Sequence, residues 1–364
     1  MKKRGLCYIL LLCICLLFNG CIKKPVNMTI KLKKGDAYKI EVDRSEKISQ
    51  TIKGGKLETD SKIRVSYLCH VTNIDENKNA DMRVTFDTLE AKVITDNGQT
   101  TNNNQKGSSE QEGNNGEKSS DGQDNNKKQG SSEQEGKKQE MTSSQKQPPA
   151  EGKEALSQGM DKLSKIYTSL IGKSFDVKIG EYGKVKQVTG MDEIVNKILT
   201  EMNIKDEKEK EDIKKVMKEQ FGDEAITKRV ERITAVYPNK DITMNEGWQE
   251  RRDISTKFPV EAENKYSLKE SSDGTADISL DGEVKGKEGA EPIIIDNIKI
   301  SYEDMKGTQK GNISINEETG MIKMAELESK FSGKMKYTSD DPNMGSMTFP
   351  ITVEEKTRVN VLRQ

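Results

Sequence analysis

Lys62-Ile63-Arg64-Val65-Ser66-Tyr67-Leu68-Cys69-His70-Val71 is the stretch whose reading decides the fold. Ile63, Val65, Tyr67, Cys69 and Val71 fall on one face of an extended chain, and Lys62, Arg64, Ser66 and His70 fall mostly on the other, because side chains alternate along a strand. Upstream the same period runs through Tyr38, Ile40 and Val42 after the turn signal Gly35-Asp36. It continues through Ile48 and Ile52 to Gly54-Gly55. Downstream, Asp75 to Asn79 reads as a turn, and Met82, Val84 and Phe86 as a returning strand. The result is an antiparallel meander with one apolar face.

The period also assigns two chemically suggestive residues. Cys69 shares the inward face with Tyr67 and Val71 and reads as a small buried hydrophobe. His70, the one histidine, points the other way, so it and Cys69 cannot converge on a metal. Asp75 to Asp81 has oxygen side chains at alternate positions, as a calcium loop does. Ala80 stands where that loop needs Gly and Phe86 where it needs Glu, so a polar hairpin turn is the expectation.

Asn97 to Lys153 differs in kind. Its apolar residues are Met141 and Ala150, and GSSEQEG occurs at 107–113 and again at 130–136. Such a composition builds no core and reads as a disordered, low-complexity insertion. Closing a loop of that length costs about 3.6 kcal/mol, so one domain can carry it.

Beyond it, Leu156, Met160, Leu163, Tyr167 and Leu170 make one apolar stripe of a helix ending at Gly172. Phe175, Val177 and Ile179, then Val185 and Val188, form a hairpin about Glu181 to Gly183. Thr189 with Asp192 reads as a capping box opening a helix from Met191 to Met202. Asp206 with Glu209 reads the same way for a helix closed by Gly222. A third helix runs from Asp223 toward Tyr237-Pro238. Strand alternation then resumes at Trp248 to Phe258, Tyr266 to Lys269, Ala276 to Leu280, Ile293 to Tyr302 and Phe349 to Leu362.

Long strands before and after a helical block indicate an α+β fold: a large curved antiparallel β-sheet, an open half-barrel, with the central helices packed on its concave face. A closed barrel is the alternative. The expected layout is a leader at 1–20, a β-meander at 21–96, the insertion at 97–153, a helical block with its hairpin at 154–236, and a second meander of the same domain at 237–364.

The N-terminus predicts where the chain works. Lys2, Lys3 and Arg4 precede an apolar run from Leu6 to Phe18, shorter than the roughly 20 residues that cross a bilayer. It ends in Leu17-Phe18-Asn19-Gly20-Cys21, which resembles the bacterial lipobox, whose cysteine takes a diacylglyceryl group. An uncleaved N-terminal anchor is the alternative. Cys21 is therefore the expected lipid attachment site, and two acyl chains hold a protein stably at a membrane. The chain is expected on the extracytoplasmic face of the cell membrane, with Lys23, Lys24, Lys31, Lys33 and Lys34 either touching anionic head groups or forming a solvated lysine-rich start. Removing the leader shifts the formal net charge from −1 to −4, which offers nucleic acid no basic face.

Gly35 to Ile40, Ile171-Gly172-Lys173-Ser174-Phe175 leading to Gly183-Lys184-Val185, Glu246-Gly247-Trp248 and Thr319-Gly320 together resemble an uncharacterised family of bacterial lipoproteins. The resemblance implies envelope location and no chemistry. The layout is also similar to half-barrel lipoprotein carriers of the LolA and LppX type, in which sheet and helices enclose an apolar ligand.

No nucleophile elbow, phosphate loop or Cys-x-x-Cys is present, and Ser143 with Lys146 lies in the insertion. Trp248 reads as a core or edge anchor before a stacking residue. No catalytic residue, cofactor or metal is expected. The expected function is a binding or carrier protein with an apolar pocket of about 300 Å³ or more. The alternative is a structural or interaction lipoprotein of the envelope, with a filled core and a protein partner.

Overall fold

The computed structural model describes residues 25–52, 55–95, 100–103, 165–234, 237–238, 240–255, 257–295, 298–339 and 345–364. Cys21, the leader and most of the 97–153 insertion lie outside them. The N-terminal meander comprises β1 (Ala37–Ile52), β2 (Gly55–Ile74), β3 (Ala80–Thr95) and β4 (Thr100–Asn103), and a hairpin of β5 (Ser174–Ile179) and β6 (Val185–Thr189) follows. Helices α1 (Met191–Glu201), α2 (Glu207–Phe221) and α3 (Asp223–Thr234) come next. The C-terminal meander is β7 (Gly247–Asp253), β8 (Val260–Ser272), β9 (Thr275–Gly286), β10 (Ile293–Ile295), β11 (Ile298–Asn316), β12 (Ile322–Ser339) and β13 (Ser346–Arg363).

The two meanders join through their outermost members. β1 pairs with β13 from Tyr38↔Arg363 to Gln50↔Ile351, giving the sheet order β6-β5-β3-β2-β1-β13-β12-β11-β9-β8-β7, with β4 on β3 and β10 on β11. Every ladder is antiparallel, and the sheet remains open, with β6 and β7 as its edges. An unpaired edge invites association, and α3 covers both. The backbone N–H of Val185 donates to Glu231 Oε1 and Thr234 Oγ1 donates to the Gly183 carbonyl on the β6 side. Arg252 on β7 donates to the Glu231 carbonyl, and Arg232 to that of Ile254.

The main apolar core lies between the helices and one half of the concave face. Leu170, Met191, Val195, Ile198 and Met217 meet Phe86, Leu268 and Ile278 there. A second cluster around Val260, Phe258, Phe331 and Val353 occupies the other half. Residues 25–36 strap the first end. Val26 bridges Ile242, the Ile30 amide donates to the Glu181 carbonyl, and the Lys31 amide donates to that of Thr319. Met28, Ile30 and Leu32 are buried along the strap. Gly320, at φ +69°, lets it pass, because a Cβ there would stand 1.8 Å from the Thr29 carbonyl oxygen.

Three expectations are corrected. Thr100–Asn103, within the expected disordered insertion, pairs with Ala91–Ile94, since backbone hydrogen bonds extend a hairpin without needing a core. Thr189 does not cap α1. Gly190 takes that position at φ 99°, and Asp223, from the start of α3, accepts the Met191 amide at 2.9 Å, so a tertiary cap replaces the local one. Ile293 to Tyr302 is a hairpin of β10 and β11 rather than one strand, with Ile295 opposite Ile298. Asp206 caps α2 as expected, accepting the Glu209 amide.

Candidate functional site

Between the two apolar clusters the inward face changes character along a single line. Glu46 on β1 lies opposite Glu355 on β13, which lies opposite Ser329 on β12. Ser329 lies opposite Gln309 on β11, Gln309 opposite Gly282 on β9, and Gly282 opposite Asn264 on β8. The line continues to Ser61 on β2 and Glu250 on β7. Eight strands thus place a polar residue or glycine in one register row, and the rows beside it are mostly apolar. Ile63, Leu327, Leu280 and Tyr266 lie on one side and Val353, Phe331, Val284 and Ala262 on the other, interrupted by Arg44 and Thr357 and by Thr59 and Arg252. Gly282 makes room for its neighbour: a Cβ there would meet Asn264 Oδ1 at 2.1 Å, so the asparagine side chain lies over the glycine.

This row forms one wall of a cavity of about 140 Å³. Val42, Ile63, Val65, Tyr67, Phe86 and Leu89 supply an apolar floor, and Tyr167, Phe221, Arg229, Arg232 and Ile233 close it from the helical side. Five of the eight buried polar residues among those described (Glu46, Asn264, Gln309, Ser329 and Glu355) line this one space. Arg44 donates to Glu46 at 3.0 Å and to Glu355 at 2.7 Å, and Lys257 reaches Glu46 at 2.5 Å. Gln309 Nε2 donates to Ser329 Oγ at 3.0 Å. Arg44 Nε, Arg252 Nε and Asn264 Oδ1 are buried without a hydrogen-bond partner, an arrangement that costs about 1–3 kcal/mol per group in a dry interior.

Burial pushes Arg232 down to about 10, so its guanidinium still carries its charge at neutral pH. Burial raises Tyr67 and Tyr167, and the nearby Arg229 charge opposes the rise in both. Tyr266, stacked on Trp248 with centroids 5.3 Å apart and 12° between planes, is also raised by burial.

Tyr167 and Phe221, expected to bound any cavity, do so, packed edge to face at 5.8 Å; Leu163 lies outside the described residues. Trp248 is an anchor on the edge strand. Cys69 is 2% exposed, and burial pushes its thiol up to about 12. Asp75 spends its carboxylate on the Asn77 and Asn79 amides of its own turn. No cluster of metal-ligating side chains occurs among the described residues. The pocket lies where a half-barrel places it but differs from expectation: it is under half of 300 Å³ and its wall is charged. The row escaped the sequence reading because each strand contributes a short polar interruption, which only the register assembles.

A protein-family model matches residues 126–322, more than half of the chain. The chain belongs to that family of unknown function, DUF6263. No curated protein matches it. Among solved structures it is similar to lipovitellin, in a study titled for lipid–protein interactions, at 9% identity and TM-score 0.40; the match covers 91% of this chain but only 25% of that one. It is also similar to an outer membrane channel from Pseudomonas putida F1, at 7% identity and TM-score 0.21, covering 93% of this chain and 99% of that one. OccK5 (OpdH) from Pseudomonas aeruginosa matches at 7% identity and TM-score 0.17, covering 92% and 99%. At these TM-scores nothing about ligand or activity carries over. No helix among the described residues is long and apolar enough to cross a membrane.

Proposed function

We propose that this chain is a lipid-anchored protein of the extracytoplasmic membrane face, held through Cys21, and that it is a non-catalytic binding or carrier protein for a ligand with an apolar body. The observation that carries the reading is the cavity itself. Cores pack to a density that leaves few voids larger than a water, and here about 140 Å³ stays open between sheet and helices, beside unpartnered buried polar atoms. A cavity of about 150 Å³ accommodates a benzene-sized group, so a small ligand, or one end of a larger one, fits. The leader and lipobox-like Cys21 support the location.

The size of the cavity favours a second reading, a structural or interaction lipoprotein of the envelope whose core is nearly filled. Fluorescent fatty-acid binding separates the two. The wild type binds the probe, and Ile63→Phe, which fills the cavity floor, abolishes binding without unfolding the protein. Equal binding by both proteins, or by neither, favours the structural role.

A further inference from the structure

Five cationic side chains line the cavity, Arg44, Arg229, Arg232, Arg252 and Lys257, against three anionic ones, Glu46, Asp253 and Glu355. The acidic groups already have partners: Arg44 and Lys257 neutralise Glu46, Arg44 bonds Glu355, and Lys287 holds Asp253 at 2.5 Å. Arg252 pairs with Glu250. The two arginines of α3 are different. Arg229 donates to the Gln220 carbonyl at 2.9 Å and lies over the Phe221 ring at 5.7 Å. Arg232 donates to the Ile254 carbonyl at 2.8 Å. Arg229 also interacts with the Tyr67 hydroxyl. Neither arginine meets a carboxylate at ion-pair distance among the described residues, and a guanidinium carries five N–H donors, which these partners do not exhaust.

Three residues apart on a helix, the two side chains lie on one face and line the cavity opposite the polar row. Tyr67, Phe86 and Leu89 lie below them. Glu355 and Asp253 act on Arg232 only through space. Buried cations without a direct ion-pair partner are costly to a fold, and their natural complement is an anion that arrives with the ligand.

We propose that the cavity takes an amphiphilic anion: a carboxylate or phosphate group held by Arg229 and Arg232, with its apolar body against the floor of β1 to β3. This rests on the binding reading above and specifies its ligand class.

Isothermal titration of the chain from residue 22 onward, which contains the whole described fold, tests it with octanoate, 1-octanol and inorganic phosphate. Octanoate is expected to bind at least about tenfold tighter than 1-octanol, the worth of roughly one charge-assisted hydrogen bond, and inorganic phosphate more weakly than either. The Arg229→Met/Arg232→Met protein, checked for native circular dichroism, keeps the 1-octanol affinity and loses the octanoate advantage, whereas the double Lys replacement keeps part of it. Equal affinities for octanoate and 1-octanol in the wild type overturn the anion assignment and leave the binding reading standing. Phosphate binding as tight as octanoate overturns the amphiphile. Failure of all three to bind overturns both readings, and this comparison needs only the wild-type protein.

Discussion

Glu46 and Glu355 face each other directly across the β1–β13 pair, and the Arg44 guanidinium bonds both. Like charges opposite one another destabilise a sheet, so Arg44 makes the junction between the two meanders tolerable. Arg44→Met is expected to cost about 3–5 kcal/mol, as breaking a buried pair does. Adding Glu46→Gln and Glu355→Gln restores most of that loss. Urea unfolding of the three proteins measures it.

Gly282→Ala drives a methyl into Asn264 Oδ1. A loss of about 1–3 kcal/mol is expected from this overpacking. Asn264→Ala in the same chain relieves it, and a double-mutant cycle by thermal melting reads the coupling.

Cys69 and His70 show what period two settles. The buried thiol, with its pKa raised to about 12, stays protonated and covered, so iodoacetamide at pH 8 labels the native protein only as fast as it unfolds. Full labelling follows in urea. Because the folded value exceeds the unfolded one near 9, this residue's contribution to stability is complete below pH 9 and fades as pH climbs toward 12. Rapid native labelling contradicts the assignment.

Glu246 is held down to about 2 by Lys240 and by the Thr243 amide and hydroxyl. A depressed carboxylate stabilises the fold above its unfolded pKa and stops doing so as pH falls through the folded value. Stability should therefore decline between pH 4.5 and about 2. In Glu246→Gln that decline is shallower, as acid titration followed by circular dichroism will show.

A palmitate analogue fed to cells making the protein should mark the wild type and leave Cys21→Ser unmarked. Equal marking of both removes the anchor and every inference about compartment.

The strands were legible because one buried face imposes strict alternation, as in Ile63 to Val71. The helices were legible from apolar stripes and the Asp206 cap. The α1 cap was not, because its acceptor comes from Asp223, 32 residues away. The strap was written as Met28, Ile30 and Leu32 but masked by its lysines. The site was hidden more deeply. Asn264, Gln309 and Ser329 each look like one flaw in an apolar face, and Glu46 and Glu355 like part of a short polar break beside Arg44 and Thr357, until pairing sets them in one row. Arg229 and Arg232 look like ordinary surface charges until the helix is placed over the sheet.

The central claim is that the space between sheet and helices is a seat for a ligand. Native mass spectrometry of protein gently extracted from its own membranes tests it most directly. A reproducible non-covalent mass on the wild type, lost in Ile63→Phe, is predicted. A clean unliganded mass from every preparation of the wild type contradicts it.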